Sequence, residues 1–205
     1  MMTKQRDDDC FRVRYSKRNF GGQSFCGRDL QKYDFHEAFL EKTDFGAANL
    51  TEANFSDSWL REANLYGATL VGANLTRTDF WRANLSMANL TGATLVGANF
   101  TMANLQFADL SGADLRMFSF NGTDLRGACL KGADLTGASL KGAILYKEDL
   151  EGANIDGVDL DYVMFKDVDY YDPDGEVNPE FVDTKPTFID RVITLLFGKR
   201  TGLGH

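Results

Sequence analysis

Histidine is almost missing: His36 and His205 are the only two in 205 residues, too few for a zinc cluster or a Ser/His/Asp triad. Cysteine is scarce as well. Cys10, Cys26 and Cys129 are an odd set without metal-ligand spacing and read as reduced, structural thiols. No apolar run approaches the roughly 20 residues of a membrane span, so a membrane role is not expected. The opening MMTKQRDDDC is too polar for a secretory leader, which makes the cytoplasm the expected location. Net positive charge is missing too. At −8, with no basic stripe, the chain is not expected to bind nucleic acid directly.

Against these absences stands one insistent presence. Between Ala63 and Leu115 a phrase recurs in a five-residue register: Ala63-Asn64-Leu65, Ala83-Asn84-Leu85, Ala88-Asn89-Leu90, Ala103-Asn104-Leu105 and Ala113-Asp114-Leu115. The register runs through 32 units, with Tyr, Phe, Leu or Ile at every fifth residue from Tyr15 to Tyr170. Five matches neither regular period: on a helix such residues lie about 140° apart, and on a strand they fall on opposite faces. The chain must therefore turn once per unit. With one straight side and one corner per unit, each central Leu or Phe points inward, together with the small residue two places before it. That residue is Ala in 18 of the 32 units. Stacked turns would pair like parallel strands at roughly 4.8 Å per layer.

This A(D/N)LXX phrase resembles the pentapeptide-repeat family, and the resemblance covers about three quarters of the chain. It implies an all-β solenoid, a right-handed quadrilateral β-helix with about 20 residues per coil and about eight coils in all. The residues themselves give the five; the four sides are what the resemblance implies. Gly72, Gly92, Gly112, Gly132 and Gly152 agree with it, recurring every 20 residues at the third position of a turn, where a type II turn needs positive φ. The identical octapeptides at Gly67 and Gly92, 25 residues apart, show that units can exchange sides.

Four segments follow. Residues 1–14 precede the register and are read as an N-terminal cap over an open sheet edge. Residues 15–170 form the β-helix. In its first coil Arg18, Gln23, Arg28 and Tyr33 occupy the small inward slot, so that coil is expected to be loosened, with those side chains reaching solvent. Phe118 also fills a small slot, flanked 20 residues away by Ala98 and Ala138, and large beside small can pack. Glu148 takes an inward slot near the end. Residues 171–185 read as an acidic, turn-rich connector punctuated by Pro173, Gly175 and Pro179. It fails as a calcium loop, because Tyr170 and Phe181 stand where carboxylates are needed. Residues 186–198 carry Phe188, Ile189, Val192, Ile193, Leu195 and Leu196 at helical spacing, a short C-terminal α-helix that caps the last coil, pairs with its twin or lies on a membrane surface, the last opposed by its small polar face and Asp190. Dimerisation through C-terminal segments is what the resemblance implies.

With the interior filled by Ala and Leu or Phe, only the outside is left to act. Asp109, Asp114, Asp124 and Asp134 invite an acid-base reading, but their spacing is that of the repeat, where Asn and Asp bond nearby amides. No enzyme, cofactor, metal or small-molecule substrate is expected. Four-sided winding gathers Phe39, Trp59, Trp81 and Met102 on one side, and Tyr66, Met87, Phe107 and Tyr146 on the next. A contiguous apolar patch of that kind marks an interface. The expected function is a non-enzymatic scaffold acting on an unidentified protein partner or as a homodimer. The alternative, suggested by the resemblance, is an acidic DNA mimic that binds gyrase and gives fluoroquinolone protection. Charge distribution weighs against it: from Arg61 to Lys147 there are eight basic and six acidic residues, while Glu148 to Asp183 holds 13 acidic residues and one basic.

Overall fold

The structure, a computed structural model, describes residues 14–166. The cap before residue 14, the connector and the C-terminal apolar stripe lie outside the described residues.

Outside Lys147–Leu150, each five-residue unit closes on one β-turn. The amide three residues after a central residue donates to its carbonyl, as Ala63 N does to Leu60 O at 3.0 Å and Ala83 N to Phe80 O at 2.9 Å. The third turn residue has positive φ: Glu62 at 55°, Gly72 at 65°, Met87 at 60°. With the preceding residue outside that region, these are type II turns. Glycine is comfortable there, yet Lys, Glu, Arg, Met and Phe adopt the same angle on other corners. The ladder, not local preference, sets the backbone.

The residue before each central one is the bridge point. Asn49 pairs with Thr69, Asn54 with Asn74 and Trp59 with Asp79, always in parallel and always 20 residues apart. Four units therefore make one coil, and the helix is four-sided. Each side is extended over too few residues to form a long strand. The named strands are β1 (Ile144–Tyr146) and β2 (Met164–Lys166), again 20 apart and paired.

Central residues from Phe35 to Leu145 are buried, nearly all at 0 to 1% exposure. Removing each Leu or Phe from water contributes on the order of 1.5–3 kcal/mol. Aromatic rings stack in columns one coil apart, Phe35 on Phe55 at 4.8 Å and Phe80 on Phe100 at 5.1 Å, which is the strand spacing itself. Where the small slot holds a hydroxyl, it turns back onto backbone: Thr78 Oγ1 donates to Phe55 O at 2.8 Å and Thr123 Oγ1 to Phe100 O at 2.7 Å. Among the described residues no buried side-chain nitrogen or oxygen lacks a hydrogen bond.

Three places depart from the rule. The first coil keeps a regular backbone, with Phe20 N on Phe39 O at 2.8 Å and Phe25 N on Asp44 O at 2.6 Å. Arg18, Gln23 and Arg28 are exposed, as their charge or polarity requires, but reach solvent without the loosening that the sequence suggests. No coil lies on their N-terminal side among the described residues to bury them. At Glu148 the turn is replaced by a 3-10 helix, Lys147–Leu150, which leaves Glu148 exposed while Leu150 stays buried. The Asp149 carboxylate stands in for the displaced carbonyl, accepting from Gly127 N at 3.0 Å and Tyr146 N at 2.8 Å. The third departure lies at Phe118, where the ladder opens.

Candidate functional site

The outer surface is built from three slots per unit: the bridge residue and the two central turn residues. In most units Asn or Asp holds the bridge slot and its Oδ1 accepts the amide two residues on, as in Asn74 with Thr76 N at 3.1 Å. Asp109, Asp114, Asp124 and Asp134 all do this, with Ser111, Arg116, Arg126 and Thr136. These bonds tie the carboxylates to their own turns. Hydrogen bonds from Arg116 hold the Asp114 carboxyl down to about 2, and the Ser111 and Thr136 hydroxyls lower Asp109 and Asp134. Asp149 is the exception, pushed up chiefly by burial. His36 is tied to Glu37 at 2.9 Å and to Ser56 Oγ at 3.0 Å. No group of three His, Cys, Asp or Glu able to hold a metal occurs among the described residues.

Phe39 and Trp59 break the bridge-slot rule. Both stand where Asn or Asp usually does, and being paired bridge residues they are forced into register one above the other. Their rings lie 4.7 Å apart and within 9° of parallel, while remaining 49% and 39% exposed. Parallel stacking of this kind adds about 0.5–1.5 kcal/mol beyond burial. Beside it, Gly21 and Gly22 leave an open cleft of about 590 Å³, edged by Glu41, Lys42 and Arg61.

Along the bridge column the aromatic stack stops at Trp59. Asp79 is the next bridge residue above Trp59, and it binds Arg61 at 2.5 Å. Trp81, one coil above Arg61 in the same column, is half-buried, with the Arg82 guanidinium 4.4 Å from its ring centre. Met102 is 50% exposed but leans on Gly122 in the next coil. On the adjoining side Tyr66 and Phe107 are about half exposed, and the Phe107 ring covers Gly127, whose missing Cβ would stand 2.5 Å from it. The structure stacks Phe39 on Trp59 and leaves Met102, Tyr66 and Phe107 about half exposed elsewhere on the outer face. The signal missed in sequence was the column: reading every twentieth residue shows Met102 over Gly122, Phe107 over Gly127 and Met117 over Gly137.

Corner charges follow the same columns. Lys17 pairs with Glu37 at 3.3 Å, Lys32 with Glu52 at 3.5 Å, Lys42 with Glu62 at 3.8 Å and Arg77 with Asp57 at 2.5 Å. These pairs neutralise the early coils and leave no uniform negative face there.

Comparison with known proteins agrees with this geometry. The chain matches pentapeptide repeats, described in 8 copies, over residues 29–67, 63–101, 103–142 and 133–169. No curated protein sequence matches it. Among solved structures it is similar to QnrB1, a plasmid-mediated fluoroquinolone resistance protein, at 19% identity over 80% of this chain and 88% of that one, with a TM-score of 0.62. HetL, from the cyanobacterium Nostoc and involved in heterocyst differentiation regulation, is 28% identical over 82% of this chain and 92% of that one, with a TM-score of 0.39. A thylakoid-lumen protein of Arabidopsis thaliana is 24% identical over 75% and 68%, with a TM-score of 0.23. At such identity the likeness to QnrB1 is one of fold.

Proposed function

The chain belongs to the pentapeptide-repeat family, and from that premise we propose that it works as a non-enzymatic scaffold, contacting a protein partner through its outer faces. The observation that carries this reading is the coplanar Phe39–Trp59 pair, two large rings left in water on a molecule whose axis is otherwise filled. An exposed, stacked aromatic pair beside a mixed-charge cleft has the character of a binding hot spot, where Trp and Arg are favoured. The surface is too small alone to hold a stable complex, so neighbouring corners must contribute.

The gyrase-directed alternative draws no support from the surface. A duplex mimic needs negative charge along its length, and from Arg61 to Lys147 basic residues outnumber acidic ones by eight to six.

The experiment is affinity capture from the source cell, comparing the intact chain with a Phe39→Ser, Trp59→Ser double variant, alongside light scattering of both for self-association. A partner or dimer lost in the variant, with unchanged thermal unfolding, supports the reading. Retention of every partner and of oligomer size overturns the assignment of this face.

A further inference from the structure

The first and last described coils of the β-helix carry opposite charge. Residues 14–33 hold five basic residues, Arg14, Lys17, Arg18, Arg28 and Lys32, against one acid, Asp29. Residues 147–166 hold six acids, Glu148, Asp149, Glu151, Asp156, Asp159 and Asp161, against Lys147 and Lys166. Between them, corner charges such as Lys42 with Glu62 and Arg77 with Asp57 meet in columns, and Lys17 and Lys32 are engaged the same way by Glu37 and Glu52. Among the described residues, Arg14, Arg18 and Arg28 have no ion-pair partner, and neither have Glu148, Glu151, Asp156, Asp159 and Asp161.

Both coils also leave ladder and core unfinished on their outer sides. In the body the amide of each bridge residue donates to the coil below, as Phe39 N does to Arg18 O at 2.9 Å and Asp44 N to Gln23 O at 2.8 Å. The amides of Asn19, Ser24 and Asp29 have no such carbonyl among the described residues. At the far end the amides of Ile155, Gly157 and Leu160 and the carbonyls of Ala153 and Val158 have no next coil among the described residues to bond. Tyr15, Phe20 and Phe25 at one end, and Ile155 and Leu160 at the other, are half-buried, where the central residues of the body are sealed. Each end therefore wants what the other presents: a parallel edge, an apolar face and charge of the opposite sign.

We propose that the protein associates head to tail with a second copy of itself, the basic first coil of one copy seated on the acidic last coil of the next. Unlike ends wind in the same sense, so their edges pair in parallel as successive coils do, and the half-buried rings close over Ile155 and Leu160. Like ends would set guanidinium against guanidinium or carboxylate against carboxylate, a juxtaposition that interfaces avoid. Charge thus selects a heterologous contact, which leaves a free end on every pair and builds open chains instead of a closed dimer. A single coil end is a small area, so the contact is weak, reversible and sensitive to salt. It uses none of the Phe39–Trp59 face, and each of the two surfaces stands or fails without the other.

The test is sedimentation velocity of the full chain over a concentration series at low and high salt. The average mass should climb with concentration without levelling off at a dimer, and fall toward the monomer in about 1 M salt. Arg18→Glu with Arg28→Glu should weaken association about tenfold or more, and so should Glu151→Lys with Asp156→Lys and Asp161→Lys. Both sets should fold, since the two arginines are exposed and Arg61, Arg116, Arg126, Lys131 and Lys141 already place cations at the turn position of the three acids; unchanged thermal unfolding checks this. An equimolar mixture of the two variants, whose reversed ends are complementary again, should regain association, and the Phe39→Ser, Trp59→Ser variant should associate as the unaltered chain does. A protein monomeric at every concentration overturns the proposal, its own terminal segments then being the occupants of the ends. A closed dimer that survives Arg18→Glu with Arg28→Glu overturns it by placing the contact between like ends. So do a mixture that stays monomeric, association indifferent to salt, and loss of association in the Phe39→Ser, Trp59→Ser variant.

Discussion

The corner at Arg77 and the corner at Met117 occupy the same column of the β-helix, two coils apart, and behave differently. At the first, Thr78 sits over Ser58 and beneath Ala98, and every rung is made: Arg77 N on Val96 O at 2.8 Å, Asn99 N on Thr78 O at 2.9 Å. At the second, Phe118 sits over Ala98 and the rungs beneath it are gone. Turn angles do not separate them, since Arg77 and Met117 have φ of 53° and 59°. The difference lies in inward volume. In a solenoid the coil spacing is shared by backbone and core, so one side chain too large for its layer spends its strain on the nearest rungs.

Truncating rings on the two sides of that comparison should give the largest contrast. Phe80→Ala, in a closed layer, should cost about 3–5 kcal/mol, because stacked coils cannot collapse onto the hole. Phe118→Ala should cost about 1 kcal/mol or less, because the coils draw together and regain rungs each contributing about 0.5–1.5 kcal/mol. Denaturant midpoints at constant slope measure both, and equal losses would mean that Phe118 is ordinary core. Next in size is the reverse experiment. Ala83 lies between Ala63 and Ala103, as Phe118 lies between Ala98 and Ala138. Ala83→Phe should destabilise by about 1–3 kcal/mol and release the Asn84 and Leu65 amides, now bonded to Ala63 O at 2.9 Å and Asn84 O at 2.6 Å. Faster exchange at those two amides, and slow exchange above Ala83, is the expected signature.

Most of the architecture was legible because it is written in a period. Inward slots, turns and the polar bridge residues all follow from five, and the 20-residue glycine column pointed to four sides before the bridges confirmed them. What stayed hidden depends on direction within a slot. Phe118 between two alanines satisfied the rule of large beside small, and nothing in the sequence told which neighbour its ring would press. The aromatic residues show the same limit: a flattened map ignores Asp79, which stands above Trp59 in the bridge column and pairs with Arg61. Glu148 was placed inward by register, but a turn can be exchanged for a 3-10 helix more cheaply than a carboxylate can be buried.

Acid should separate the open and closed regions more weakly. Hydrogen bonds from Arg116 depress Asp114 to about 2 from 3.8, so its stabilisation is full above about 3.8 and fades as pH falls toward 2. Asp149, raised chiefly by burial, has the opposite sign: stability is highest with it protonated and declines as pH rises through its raised value. Asp114→Asn should therefore flatten the acid limb of a stability titration. Asp149→Asn should raise stability at pH 7 if the amide oxygen keeps the bonds from Gly127 and Tyr146.

The smallest effect belongs to the charged corners. Glu52 holds a left-handed φ of 55° and pairs with Lys32, in the column that continues as Gly72, Gly92 and Gly112. Glu52→Gly removes the strain of a side chain at that angle, a gain of about 1 kcal/mol. It also frees the unfolded chain by about 0.4–1 kcal/mol and forfeits an exposed ion pair contributing about 0–1 kcal/mol. These nearly cancel, so the unfolding midpoint should hardly move, and less so in high salt. That balance explains why the same corner carries charge in early coils and bare glycine later. A shift beyond about 1 kcal/mol would mean that the ion-pair columns, rather than the ladder, hold the first coils in register.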